Sequence, residues 1–432
     1  MKSKILNLQI LTFFLVILVL LAIFFILSPF VEAAKSVFRQ PPVGTIVVYK
    51  VAGLPPYNQG TQIRFAEVGA RGLTTSPKVL AQSQFSGLTL SEISAVRRGK
   101  NIDIVYEIEN VVSSSFNYPT IALKHRRYDE SMSTFVEQNL PLPQGYLLRD
   151  LSAVVGPNNN LYVVTSGHTG INQPSEIKLY SINSSNNLIA SSTIHTLTPP
   201  ESIGIFKSAI DPSTGNIHII ANVHGLNGSY GCSRKIFVFD PITFNQIQTI
   251  VFPLCSAVIS ELQIGPQGDG VVILPNAGGD ITASYLDPTT GQWSSPVSLP
   301  LPQLTGWSAF GTYLFPGSNS PTNSITLATT EYSSTTPPDI EFKLRLSHDT
   351  GRTFLNSPVS IFANVSSSNY SHQEFYLARF KERPNDLPFV LGRASNELRI
   401  FHDPGFLGQI TEYVVDQVSG TQYIGDVSVV EF

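Results

Sequence analysis

One unit, a strand, a tight turn and a second strand, recurs along the chain and limits what it can fold into. It is clearest in "LRLSHDTGRTFLNSPVSIF" from Leu344 and "ASYLDPTTGQWSSPVSLPL" from Ala283. Versions with altered turns start at Ile63, Leu123, Ile177, Lys235 and Leu398. Anchored on Phe65, Arg126, Tyr180, Val238, Leu286, Leu346 and Phe401, the hairpins recur at a mean spacing of about 56 residues. A second hairpin lies between them, as in "ISAVRRGKNIDIVYEIEN", "LSAVVGPNNNLYVVTSG", "KSAIDPSTGNIHIIANVHG" and "ELQIGPQGDGVVILPNAGG". In "NIDIVYEIE", Ile102, Ile104, Tyr106 and Ile108 fall on one face, the period-2 pattern of a strand.

Four strands per unit, repeated radially, predict an all-β chain: a seven-bladed β-propeller of four-stranded blades. The ends of the chain fit the same count. "GDVSVVEF" reads as a first strand without its blade, and "GTIVVYKVAG" from Gly44 as the second strand that should follow it. Pairing them closes the ring and removes an exposed sheet edge. Seven units at this spacing need about 392 residues, and residues 43–432 supply that length, leaving no room for a second domain. Composition agrees: 31 Gly, 30 Pro and only 13% charged residues are what a chain of short strands and tight turns requires.

Ahead of the repeats, Lys2 and Lys4 precede an apolar run from Ile10 to Leu27. Residues 1–33 therefore read as an export segment, either a signal peptide cleaved after the small residues Val31 and Ala33 or a membrane anchor, with 34–42 as a short linker. The remainder is then secreted or displayed at the cell surface, as a monomer. Cys232 and Cys255 bracket the third and fourth strands of one blade, so antiparallel pairing predicts a disulfide in an oxidising compartment. Asn183, Asn227, Asn364 and Asn369 begin Asn-x-Ser triplets usable in a glycosylating host. A net charge of -4 with scattered Lys and Arg excludes a nucleic-acid partner.

Ser347, Asp349, Gly351, Thr353 and Phe354 have the S-x-D-x-G-x-T-F spacing of an Asp box, and Asp129, Asp240, Asp287 and Asp403 recur at equivalent places. An Asp there accepts hydrogen bonds from the backbone two residues on, a structural use. The following aromatic, Trp293 or Phe354, is expected to fill space between blades. Through these boxes and its repeats the chain resembles the sialidase-like (Asp-box) β-propeller superfamily over most of its length. That resemblance implies function on the face opposite the Asp-box turns. It also implies three carboxylate-binding arginines, a Tyr nucleophile activated by Glu, and an Asp acid/base. "VFRQPP" offers Phe38, Arg39 and Pro41, but Gln40 replaces an Ile and the segment precedes a second strand. Arg149 begins an inner strand without matching arginines elsewhere. The arginine clamp is missing.

The histidines lack metal-binding spacing and two cysteines cannot build a zinc site, so no metal or cofactor is expected. His168 and His224 read as satisfied loop residues. The connections opposite the Asp-box turns are expected to bring Arg149, Asp150, Glu261, Trp307, His372, Glu374 and Tyr423 near the axis. Mixed charge beside aromatics suits a polar ligand, a glycan or an extracellular protein. The expected function is a binding module. The alternative is a carbohydrate-active hydrolase or lyase, which would need opposed carboxylates at the mouth. A purely structural envelope protein would show no concentrated site.

Overall fold

The computed structural model describes residues 45–53, 61–69, 72–73, 76–83, 88–110, 119–129, 134–170, 173–198, 201–225, 232–252, 261–265, 267–275, 281–299, 307–316, 325–333, 339–347, 352, 359–366, 374–378, 389–394, 396–402 and 411–430. The export segment and Phe38 to Pro41 lie outside them. Among the described residues there is no helix, and the strands form seven antiparallel sheets.

The first sheet runs in the order Gln422–Val430, Thr45–Gly53, Gln62–Gly69, with Gly72–Leu73 and Lys78–Gln82 both against the third of these. The second holds Leu88–Arg98, Asn101–Asn110, Thr120–Tyr128 and Thr134–Leu140. The third holds Leu147–Val155, Leu161–His168, Glu176–Ile182 and Leu188–Thr196; the fourth holds Ser202–Ile210, Ile217–His224, Cys232–Phe239 and Gln246–Phe252. The fifth is built of Glu261–Ile264, Gly270–Pro275, Ile281–Leu286 and Val297–Ser298. The sixth is Trp307–Pro316, Ile325–Ser333, Asp339–Ser347 and Val359–Ser366; the seventh is Glu374–Ala378, Phe389–Ala394, Glu397–His402 and Thr411–Gln417.

Four strands per sheet was the expectation, and the first sheet departs from it. Between its third and fourth strands, Gly72–Leu73 folds back to pair with Val68 and Gly69 before the outer strand begins.

Each of the first four sheets is buried between two neighbours. Thr45–Gly53 is buried at every position, because Val47, Tyr49 and Val51 pack against Leu391, Leu398 and Ile400 of the seventh sheet while Ile46 and Val48 pack against Ile93, Ala95 and Ile104 of the second. That two-sided burial explains the apolar run "TIVVY" at the start of this strand. Full burial of each Val, Ile or Leu contributes about 1.5–3 kcal/mol. The fourth strands lie at the outside, and Leu188–Thr196 and Gln246–Phe252 keep Ile189, Ile247 and Val251 exposed. The first strands of successive sheets pack side by side from the second sheet to the seventh, the seventh's first strand packs on Gln422–Val430, and Gln422–Val430 packs on Leu88–Arg98.

At Asp240 and Asp287 the Asp turns behave as expected. Asp240 Oδ1 accepts from the Ile242 amide at 2.8 Å and Oδ2 from Thr243 Oγ1 at 2.7 Å; Asp287 Oδ1 accepts from the Thr289 amide at 2.8 Å. In the third sheet Asn183 holds the equivalent place, its Oδ1 accepting from the Asn187 amide at 2.9 Å. Of the Asp box at 347–354, Ser347 is buried at the end of its strand, while Asp349, Gly351, Thr353 and Phe354 lie outside the described residues, as does Asp403. The first-to-second turns share the face of the Asp turns. Arg98, at the end of a first strand, donates to the Asn183 carbonyl at 2.7 Å and to buried Asp103 at 2.8 Å.

Candidate acidic site on the first strands

Three neighbouring first strands repeat an acid, one residue, then serine: Glu92-Ile93-Ser94, Asp150-Leu151-Ser152 and Asp426-Val427-Ser428. The serines stitch the strands together. Ser428 Oγ accepts from the Ala95 amide at 3.0 Å, Ser94 Oγ from the Ala153 amide at 2.9 Å, and Ser208 Oγ donates to Ser152 Oγ at 2.7 Å. Small side chains suit strands that converge.

At or beside each acid the strand bulges. Register shifts fall between Ser91 and Ile93, opposite Ser166 and Gly167 around Arg149, and opposite Tyr49 and Lys50 at Asp426. A bulge turns a side chain away from the regular alternation. At Glu92 it places a non-glycine residue at φ 38°, in the sparsely populated left-handed region. At Gly425, a Cβ would meet Lys50 Cε at 2.8 Å, so the glycine leaves room for the lysine stem.

Lys50 Nζ reaches Asp426 Oδ2 at 2.7 Å. Burial opposes both charges, but their mutual attraction prevails, raising the lysine pKa and holding the aspartate below the usual carboxylate range. The other acids go the opposite way. Burial, reinforced by the charges of Asp426 and Asp150, pushes Glu92 well above the usual range. Burial lifts Asp150 to about 7, although it accepts from the Phe206 amide at 2.7 Å and the Leu151 amide at 2.8 Å. Glu107, also accepting from Thr120 Oγ1, is pushed up to about 9 by burial and then by Glu109, itself raised chiefly by burial. Glu261 is lifted to about 7 by burial, against the charge of Lys207. The site thus sets five carboxyls whose pKa values are raised beside one, Asp426, whose pKa is lowered.

Of the seven residues expected at the mouth, Arg149, Asp150 and Tyr423 are brought to this cluster, and Glu261 joins it through Lys207, whose charge also acts on Asp150. They do not lie in the connections between sheets, as expected, but within first strands: bulges let ladder pairing continue past Arg149, Asp150 and Tyr423, and Glu261 pairs regularly with Ile273. Trp307 and Glu374 each begin a first strand, and His372 lies outside the described residues. His168 is satisfied: its Nδ1 faces the Gly170 carbonyl at 2.8 Å and its Nε2 accepts from Arg149 Nε at 3.3 Å. Sequence reasoning missed Lys50, Glu92, Glu107, Glu109, Lys207 and Asp426. The repeated acid-x-Ser was the signal that could have found three sites at once.

No family model matches the chain, and no curated protein does. Solved structures do. The periplasmic gluconolactonase PpgL of Pseudomonas aeruginosa is similar at 13% identity over 89% of this chain and 99% of that one, with a TM-score of 0.52. A Dos1 propeller aligns at 10% identity over 88% and 91% with a TM-score of 0.43, and a polysaccharide lyase, the PL25 ulvan lyase, at 13% over 88% and 96% with 0.44. The fold is that of a β-propeller. At such identities the likeness extends to the fold and no further.

Proposed function

We propose that the chain is a secreted or cell-surface β-propeller of seven blades, entered through its N-terminal export segment and acting as a monomeric binding module for a polar ligand, glycan or protein. The seven-blade, closed-ring reading is supported by the cycle of first-strand packing and by the pairing of Gln422–Val430 with Thr45–Gly53. Deleting residues 426–432 is expected to lower the melting temperature of the whole ring and promote association through the bared edge. A truncated chain that remains monomeric with its melting temperature unchanged argues against closure.

The observation carrying the binding role is the convergence of Glu92, Asp150 and Asp426 from three neighbouring first strands, away from the Asp turns. Asp150 is committed to two backbone amides and Asp426 to Lys50, which suits a rigid recognition surface. A screen of glycans and extracellular proteins should yield ligands that wild type binds and a Glu92→Gln/Glu261→Gln variant of equal melting temperature does not. Ligands retained in full by the variant would move the site elsewhere.

The second reading, a carbohydrate-active hydrolase or lyase, draws on Glu92 and Asp426 coming from neighbouring first strands with pKa values pushed apart, Glu92 raised and Asp426 lowered, a split that suits acid–base catalysis. It predicts turnover of a bound glycan that Glu92→Gln abolishes while binding persists.

A further inference from the structure

We propose that Asn183, at the turn between the third and fourth strands of the third sheet, is the acceptor of an N-linked glycan. The inference rests on export of the chain and goes beyond the binding role.

Where Asp129, Asp240, Asp287, Asp349 and Asp403 recur along the chain, the third sheet has Asn183. An aspartate is enough for such a turn, since Asp240 and Asp287 make theirs with carboxylate oxygens that only accept. Asn183 uses its side chain in the same sense, Oδ1 accepting from the Asn187 amide at 2.9 Å. Its Nδ2 is surplus to the turn.

That nitrogen is also open. Among the described residues Nδ2 meets no acceptor, and it is not one of the enclosed side-chain atoms that lack a partner. The residue is half-buried, its oxygen turned to the Asn187 amide and its nitrogen to water. The turn itself is held from the second sheet: Arg98 donates to the Asn183 carbonyl at 2.7 Å and to Asn186 Oδ1 at 2.6 Å, Arg127 reaches the same Oδ1, and Gln138 donates to the Asn186 carbonyl at 3.2 Å. Asn186 sits at φ 68°, a left-handed conformation that asparagine tolerates, and its amide closes onto the Asn183 carbonyl at 2.9 Å.

Ser184 and Ser185 are exposed, and Ser185 supplies the hydroxyl that completes the Asn-x-Ser triplet. The chemistry is one substitution. Nδ2 bonds to the anomeric carbon of a sugar carried on a polyprenyl diphosphate, the bond from that carbon to the diphosphate oxygen breaks, and the lipid diphosphate and one amide proton leave. Oδ1 is untouched, so the modified side chain keeps its bond to the Asn187 amide. Of the other triplets, Asn364 falls inside the strand Val359–Ser366, and Asn227 and Asn369 lie outside the described residues. Leu161 pairs with both Val155 and Ile182, which puts Asn183 beside the far end of the first strand from Asp150. A glycan there leaves the first-strand acids open.

The test is peptide mass mapping of the full chain secreted from cells that attach N-linked glycans, once with its own residues 1–33 and once with these replaced by an established cleaved export signal. Amide-cleaving deglycosylation in heavy-oxygen water converts each formerly occupied Asn to a labelled Asp. Asn183 should be labelled in both forms, and Asn183→Asp and Ser185→Ala should each lose the mass of one glycan. The two variants should also melt together, because Asp keeps the acceptor that the turn uses. An unlabelled Asn183 in the chain carrying the replacement signal overturns the inference. Labelling there, but not with the chain's own N-terminus, supports the acceptor site and places the failure in the export segment. A melting temperature of Asn183→Asp well below that of Ser185→Ala would show that the turn needs the amide nitrogen, and would overturn the inference as well.

Discussion

Trp293 donates its indole N–H to Nδ1 of His218 across 3.2 Å, a buried bond that joins the fifth sheet to the fourth. The rings meet edge to face at 5.8 Å, and Trp293 packs with Ile220, Ile236 and Val238 on one side and Leu262, Val272 and Leu286 on the other. Burial holds His218 down at about 4 against the opposing charge of Asp211, so the imidazole is neutral and accepts. Trp293→Phe should cost about 1–3 kcal/mol by orphaning that nitrogen, and Trp293→Ala about 3–5 kcal/mol by leaving a cavity. Denaturant unfolding measures both; an unchanged stability in Trp293→Phe would mean the hydrogen bond is inconsequential.

The Lys50–Asp426 pair crosses the junction between Gln422–Val430 and Thr45–Gly53. Lys50→Met leaves an enclosed aspartate without its cation. Asp426 keeps 34% of its side chain exposed, so the expected loss is about 1–3 kcal/mol, less than for a fully buried pair. Adding Asp426→Asn should recover part of it. A double variant no more stable than Lys50→Met would show that the charge left behind was harmless.

Stability should fall as pH rises from 5 to 8. Glu92, Glu107, Glu109, Asp150 and Glu261 keep their protons to higher pH folded than unfolded, so over this window the folded chain binds more protons and ionisation favours unfolding. Asp426 runs the other way, its contribution present above the unfolded value and lost only in acid. Allowing for solvent at the partly accessible Asp150 and Glu261, the fall is on the order of 1–3 kcal/mol. Thermal melts should show it, and Glu107→Gln with Asp150→Asn should flatten the curve; a melting temperature climbing across this range would contradict the assignment.

Cys232 begins the third strand of the fourth sheet, opposite His224, and Cys255 lies outside the described residues, just beyond the end of the fourth strand. Arg234 pairs with Phe252, so the chain positions leading to both cysteines run side by side. Peptide mapping without reductant is expected to recover a Cys232–Cys255 crosslink; two free thiols would rule it out.

The hairpin repeat was legible because it is local. Ile102, Ile104 and Tyr106 alternate as a strand should, and the turn chemistry of Asp240 and Asp287 is contained within a few residues. The site was less so. Asp103 and Glu107 fall on what alternation marks as the polar face of that same strand, yet both are fully buried, because a second sheet covers it. Asp150 and Glu261 could be named from position, but the residues that give them their chemistry, Glu92, Lys207 and Asp426, belong to other strands and meet them only after assembly. Periodicity also cannot register a bulge, which is what redirects Glu92.

The pairing of Gln422–Val430 with Thr45–Gly53 sets a schedule for biosynthesis. Tyr49 must wait for Asp416, 367 residues later, before its hydroxyl finds the carboxylate it donates to at 2.7 Å. At about 5–20 residues per second that delay is on the order of tens of seconds. Throughout it Thr45–Gly53, the most apolar of the early strands, has one flank unpaired while later sheets emerge and fold. During that interval the nascent chain depends on whatever shields that flank, and a ribosome stalled anywhere in the last two sheets would hold an aggregation-prone edge in place of a paired strand.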